Sequence, residues 1–413
     1  RHLIQPLGGL LVTTINDDMF SAEVISDPYT YYGRLREESP VHWNEKYEMW
    51  AITRYEDLVW MTRHNELFSN AVFKNDPRPA YPEINESDNE LYEFVRNYQA
   101  DQFIQHDRPE HLDMRRVMHG YFTPKSMQEW RPFVQSTIKE LLDAAEEKGT
   151  FDIMKDFAVP LPVMVIAEMM GVPSEDRPYI RELAEKLLYI GRSEPDRMGP
   201  LTEGMEGMIE YMSPLVDKRL ANPGDDFISV LADGERRGVL TRHQVLVNTS
   251  LLFFAGHETT INLLCNGSLA FIRNPDQWEM LQKDDGQSLP PLINRATEEC
   301  LRYDAPVKSI QRIAAEDVEM GGQLIRKDER IRWFISPANR DPEKFENPDT
   351  FDIGRWPNPH VAFGSGIHHC LGATIARLEG QEGFKAMAKR FPRFYLENED
   401  VEYQPSIAFR SLK

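Results

Sequence analysis

Cysteine is scarce. Cys265, Cys300 and Cys370 are the only three in 413 residues, and an odd count excludes a framework in which every thiol is paired within the chain. A reducing cytoplasm is the expected setting. Positive charge is also in deficit. Lys plus Arg number 47 against 67 Asp plus Glu, a formal net charge of −20. Such a field argues against nonspecific binding to nucleic acid or anionic lipid, although a local basic patch for an acidic protein partner stays open. There is no Gly/Ser-rich linker and no repeat of 20–50 residues, so a single domain over 1–413 is expected. Long apolar runs are missing too. Leu10-Leu11-Val12 belongs to a greasy stretch too short to span a bilayer, and no cleavage site follows it.

What is present is ordinary globular material. Hydrophobic residues make up 41%, which excludes a wholly disordered chain and permits a large core. Val41–Asn44 and Met49–Thr53 predict two strands around the polar turn Glu45–Glu48. Residues 74–93, acidic and Pro/Asn-rich, predict a mobile surface loop or a short capping helix. From Pro109 to about residue 220 the pattern is mostly helical. A long helix is predicted from about Thr241, a plausible N-cap, to Ile272, with Asn274-Pro275 as its stop. Between His243 and Ile272 its only charged side chain is Glu258, so it should cross the middle of the protein. Asn248, Thr249, Ser250, Asn262 and Asn266 break the apolar run and speak against a membrane span.

Three features carry chemistry. The first is Ala255-Gly256-His257-Glu258-Thr259-Thr260. A mid-helix Gly costs about 1 kcal/mol against Ala, and neighbouring hydroxyls compete for backbone carbonyls. Together they predict a locally opened helix that can hold water or a ligand. A buried carboxylate paired with a distant Arg is the competing reading of Glu258. A zinc-protease helix is excluded because position 261 is Ile, not His. The second is the loop Phe363-Gly364-Ser365-Gly366-Ile367-His368-His369-Cys370-Leu371-Gly372, followed by a helical pattern. Cys370 falls at or just before a helix N-terminus, where N–H groups and the dipole favour a thiolate, one of the side chains that hold haem iron. A structural cysteine is the other possibility. The glycines do not form a dinucleotide fingerprint, because His369 stands where its last Gly would be. The third is Glu299-Cys300-Leu301-Arg302, whose acid and base share a helix face.

In this order and spacing the three resemble the cytochrome P-450 superfamily of haem-thiolate monooxygenases, specifically its soluble bacterial members. Ala338-Asn339-Arg340-Asp341-Pro342, Arg355, and His106–His111 with Arg115-Arg116 also match, so the resemblance spans nearly the whole chain. It implies a mainly α fold with a smaller β-rich region and a long central helix crossing over the haem. The β-rich part would lie mainly in 1–70 and 305–335, and the helical part mainly in 109–305 and 370–391. Family members usually continue past a stretch such as Phe409–Lys413, so the C-terminus reads as clipped, and the chain opens without Met, so its start reads as processed, trimmed or partly disordered.

The resemblance also implies roles. Cys370 would be the metal ligand of a b-type haem. His111, Arg115, Arg312 and His368 would meet the propionates, while Ala255, Gly256, Phe363, Gly364 and Gly372 would contact the ring. Glu258 and Thr259 would be the catalytic acid–alcohol pair that supplies protons for oxygen activation. Leu251, Phe254, Ala255, Val307, Ile310 and Ile407 would touch an apolar small or medium substrate, with plain core the alternative for each. Glu299, Arg302 and Arg355 would form a structural charge network. Three Cys cannot hold a four-Cys cluster and no nucleotide fingerprint is present, so electrons would come from a separate ferredoxin or flavodoxin with its reductase. Arg115, Arg116 and Arg377 would offer it a basic dock, and 74–93 would lie where members place a lid. The expected reaction is insertion of one oxygen atom from O2. A peroxide-driven haem enzyme and a nonenzymatic haem gas sensor or electron carrier are the alternatives.

Overall fold

A computed structural model describes residues 15, 17–76 and 83–413. Part of the anticipated lid, and the opening residues of the anticipated β-rich part, lie outside the described residues. The strands are β1 Val41–Asn44, β2 Met49–Ile52, β3 Phe68–Ser69, β4 Ser309–Ala314, β5 Val318–Met320, β6 Gln323–Ile325 and β7 Arg330–Phe334. The helices that matter for the site are α1 Asn89–Ala100, α2 Glu110–His119, α3 Pro160–Met169, α4 Met198–Ala221, α5 Arg242–Arg273, α6 Leu292–Tyr303 and α7 Ala373–Arg390.

The main sheet runs β1-β2-β7-β4-β3, with only the β2/β7 pair parallel. β5 and β6 form a separate hairpin turned by Gly321 and Gly322, both at positive φ. Alternation along β7 sends Ile331 and Trp333 into a cluster with Trp50, Ile52 and Leu58. Phe334 on the opposite face packs with Tyr32, Met49 and Ala51. The larger core is helical, with α5 through its centre.

Local chemistry fixes both ends of α5. The Thr241 hydroxyl accepts from the Gln244 N–H at 3.1 Å, and the Gln244 side chain accepts from the Thr241 N–H at 2.9 Å. This reciprocal cap satisfies two N–H groups that the helix itself cannot. Asn274 ends the helix and Pro275 opens the next one. At about 1.5 Å per residue, its 32 residues cross the molecule. Several of the polar residues that interrupt its apolar surface meet a partner. Asn248 Oδ1 accepts from the Phe103 N–H at 2.9 Å, and Asn266 Nδ2 donates to the Arg410 carbonyl at 2.8 Å. Among the described residues no helix is long and apolar enough to cross a membrane.

The expected local opening of α5 is not seen; the helix is continuous through Ala255–Thr260. The Thr259 hydroxyl donates to the Ala255 carbonyl at 2.7 Å without breaking it. Gly256 has a packing reason instead, since a Cβ there would overlap Ile166 of α3.

Candidate active site

The loop that presents Cys370 is built mostly from backbone. The Cys370 N–H donates to the Phe363 carbonyl at 2.9 Å, and the Gly364 N–H donates to the Val361 carbonyl at 2.9 Å. Gly364 and Gly366 take φ of 69° and 70°. Gly366 is doubly constrained, because any Cβ would strike the Thr62 carbonyl. Gly372 then caps α7, so Cys370 sits two residues ahead of a helix N-terminus. Its sulfur opens on an internal cavity of about 310 Å³. Burial pushes its thiol above the ordinary value, while the Gly372 N–H, Arg115 and Arg377 favour the thiolate. A bound metal cation removes that proton outright.

Behind the loop lies the charge network of α6. Arg302 donates to both Glu299 oxygens at 2.8 Å and to the carbonyls of Asn339, Pro348 and Thr350 at 2.7–3.0 Å. Arg355 Nε reaches Glu299 Oε2 at 3.2 Å. The Asn339 side chain in turn accepts from the Val361 N–H at 2.8 Å, which carries the network into the Cys370 loop. Arg377, anticipated in the basic dock, is already ion-paired. It makes a two-point ion pair with Glu298 at 2.7 and 2.9 Å and stacks behind Phe363. Arg116 is exposed and pairs with Asp113.

The cavity above Cys370 tests whether haem fits. Arg115, Arg312 and His368 line it, as do Ala255, Gly256, Phe363, Gly364 and Gly372. His111 does not line it but stacks on His368, ring centroids 3.8 Å apart. Both ring nitrogens of His111, Nε2 of His368 and Nε1 of Trp333 are buried without partners. Arg115 and Arg312 donate to the carbonyls of His369 and Gln311, and among the described residues neither meets a carboxylate. Burial lowers Arg312 to about 10 and His111 to about 4. Two uncompensated cations and several orphaned ring nitrogens at one edge of an apolar slot call for bound anions. The propionates of a haem whose iron faces Cys370 would supply them.

A second chamber, about 480 Å³, shares Leu251, Ala255, Thr259, Val307 and Ile310 with the first. Phe254 and Ile407 line only this chamber. All six anticipated substrate contacts therefore lie on its wall. Thr259 lines both spaces, but Glu258 lines neither. Its carboxylate faces the other side of α5, where Asn262 Nδ2 donates to it at 3.1 Å and the Ser411 hydroxyl also binds it. Burial raises the Glu258 pKa against the pull of those two donors.

One family accounts for this geometry. The family model described as Cytochrome P450 matches residues 195–407. The chain is 35% identical over 405 residues to the biotin biosynthesis cytochrome P450 of Bacillus subtilis, covering 97% of this chain and 98% of that protein. The chain belongs to the cytochrome P450 family. It is 33% identical to the cytochrome P450 monooxygenase PikC of Streptomyces venezuelae, covering 94% of this chain and 90% of PikC. A crystal structure of P450BioI in complex with an acyl carrier protein bearing hexadec-9Z-enoic acid superposes with a TM-score of 0.83 at 34% identity, over 95% of this chain and 97% of that one. This P450 is accordingly a haem-thiolate oxidoreductase.

Two cavity residues escaped the sequence pattern. Glu379 of α7 lines the Cys370 cavity, and burial lifts its pKa to about 8. The Thr260 hydroxyl approaches it at 3.5 Å. Its only signal was an acid placed mid-helix after the cysteine loop. Arg332 of β7 lines the second chamber. Only the strand register reveals its direction.

Proposed function

We propose that this P450 inserts one oxygen atom from O2 into an apolar carbon framework held against Thr259, with electrons delivered by a separate ferredoxin or flavodoxin. The observation that carries this reading is that Cys370 and Thr259 line the same cavity. Haem, when bound, supplies the oxygen-activating and oxygen-inserting chemistry. Cys370 Sγ is the proposed iron ligand, and His111, Arg115, Arg312 and His368 are its proposed anion cradle. Leu251, Ala255, Val307 and Ile310 exclude water and fix the substrate, so oxidation falls on the carbon they hold nearest the reaction centre. The Thr259 hydroxyl spends its proton on the Ala255 carbonyl. Its lone pairs are then free to accept from a water. Glu258, which keeps its proton to higher pH than an exposed glutamate, is the reservoir in this reading, and its carboxylate must turn from Asn262 and Ser411 to replenish that water. Glu299, Arg302 and Arg355 keep the Cys370 loop in place, and Arg115 and Arg116, the latter paired with Asp113, face the electron donor.

The reduced, carbon-monoxide-treated protein should display the Soret band of thiolate ligation, and Cys370→Ser should abolish it. Thr259→Ala should retain haem and substrate-induced spectral change but divert most electrons to hydrogen peroxide. Unchanged product per electron in that variant would falsify the relay.

A further inference from the structure

The second chamber inverts the charge of the chain. Acids outnumber bases 67 to 47 over the whole sequence, yet among the described residues its wall carries five arginines, Arg192, Arg197, Arg312, Arg330 and Arg332, and one carboxylate, Asp76. Asp76 is engaged by Arg330. Arg197 donates to the carbonyls of Glu83 and Glu194. Arg312 belongs to the haem cradle. Arg192 stacks on the Tyr189 ring, and Arg332 has no such assignment. It donates to Ser309 Oγ at 3.0 Å and Gln311 Oε1 at 3.2 Å, and its buried Nε has no acceptor. Among the described residues no carboxylate pairs with it. Burial depresses its pKa to about 10, but a guanidinium stays charged in a protein. A desolvated cation left this way is costly unless a ligand brings the opposite charge.

The register separates Arg332 from the cradle. Gln311 faces Arg332 and Arg312 faces Ile331 across the β4/β7 pair. Alternation therefore sends Arg332 and Arg312 to opposite faces of the sheet. β4 pairs with β3 only through Ile313 and Ala314. Ile310 and Arg332, from the two faces, both line the chamber.

We propose that the chamber selects substrates that end in a free carboxylate, that Arg332 anchors this group, and that Ser309 and Gln311 hold the guanidinium in position. The apolar remainder then runs past Ile407 and Phe254 to Leu251 and Thr259. This specificity rests on the monooxygenase reading. It favours a free acid over an acyl chain carried as a thioester, which has no carboxylate to offer.

The test titrates the holoenzyme with an alkyl carboxylate, its methyl ester, the matching primary alcohol and its N-acetylcysteamine thioester, reading Kd from the haem spin-state change. The acid should bind about 10- to 100-fold more tightly than the ester, the range expected of a charge-assisted hydrogen bond. Arg332→Gln should erase that ratio, and Arg332→Lys should keep part of it. Haem content and the thiolate Soret band should be unchanged in both variants. Equal affinities in the wild type, a tighter thioester, no response to any of the four, or a ratio that survives Arg332→Gln would each overturn the anchor. A wild-type protein without the thiolate Soret band would instead remove the monooxygenase reading beneath it.

Discussion

Arg302 and Arg332 are both guanidinium groups withdrawn from bulk water, and their surroundings differ in kind. Arg302 is fully buried, binds both oxygens of Glu299 and donates to three carbonyls. Arg332 has one hydroxyl, one amide oxygen and an unpartnered Nε. A charge whose donors are all met holds the fold together. A charge left short by the fold itself is available to something that arrives later. The same contrast separates Glu298, held low by His360 and Arg377 against the upward push of burial, from Glu379, which burial lifts to about 8.

Breaking the satisfied network should have the largest effect. Arg302→Met leaves Glu299 buried with less counter-charge and should cost about 3–5 kcal/mol, measured by urea denaturation and by the fraction of protein that retains haem. Adding Glu299→Gln to that variant should recover part of the loss, because the stranded charge is then gone. Arg312→Gln strikes a charge that no carboxylate meets, so the fold should survive. Its haem dissociation constant should instead rise about tenfold or more, read by transfer of haem to a scavenging apoprotein. A third test is a pH dependence. Glu379 keeps its proton in the folded state up to about 8, whereas an unperturbed glutamate loses it near 4.5. Between those values the unfolded chain binds fewer protons, so this group's contribution to stability falls as pH rises. Glu379→Gln should therefore flatten the decline of Tm between pH 5 and 8. Parallel Tm profiles for the two proteins would show that Glu379 is ionised in the fold.

The legible parts of this molecule were those with local causes. Thr241 and Pro275 mark the ends of α5 because caps and imino acids act within one turn. Gly364 and Gly366 of the motif take up the turn before Cys370 because φ is a property of single residues. Other facts needed the third dimension. That Glu258 faces Ser411 and Asn262 while Thr259 faces the cavity follows from the packing around α5, not from the motif. That Glu298 takes up Arg377 depends on α6 and α7 lying side by side. The direction of Arg332 depends on pairing across β4 and β7, which no single segment encodes.

The missing methyl group at Gly256 has a consequence for redesign. It sets the clearance between α5 and α3, and the side chain it accommodates, Ile166, also lines the Cys370 cavity. Bulk added at 256 meets the end of Ile166, so either α5 and α3 separate or the Ile166 side chain turns and reshapes the Cys370 cavity. Matched exchanges at these two sites, one enlarged and the other trimmed, are therefore a way to retune which carbon is oxidised while leaving every polar group in place.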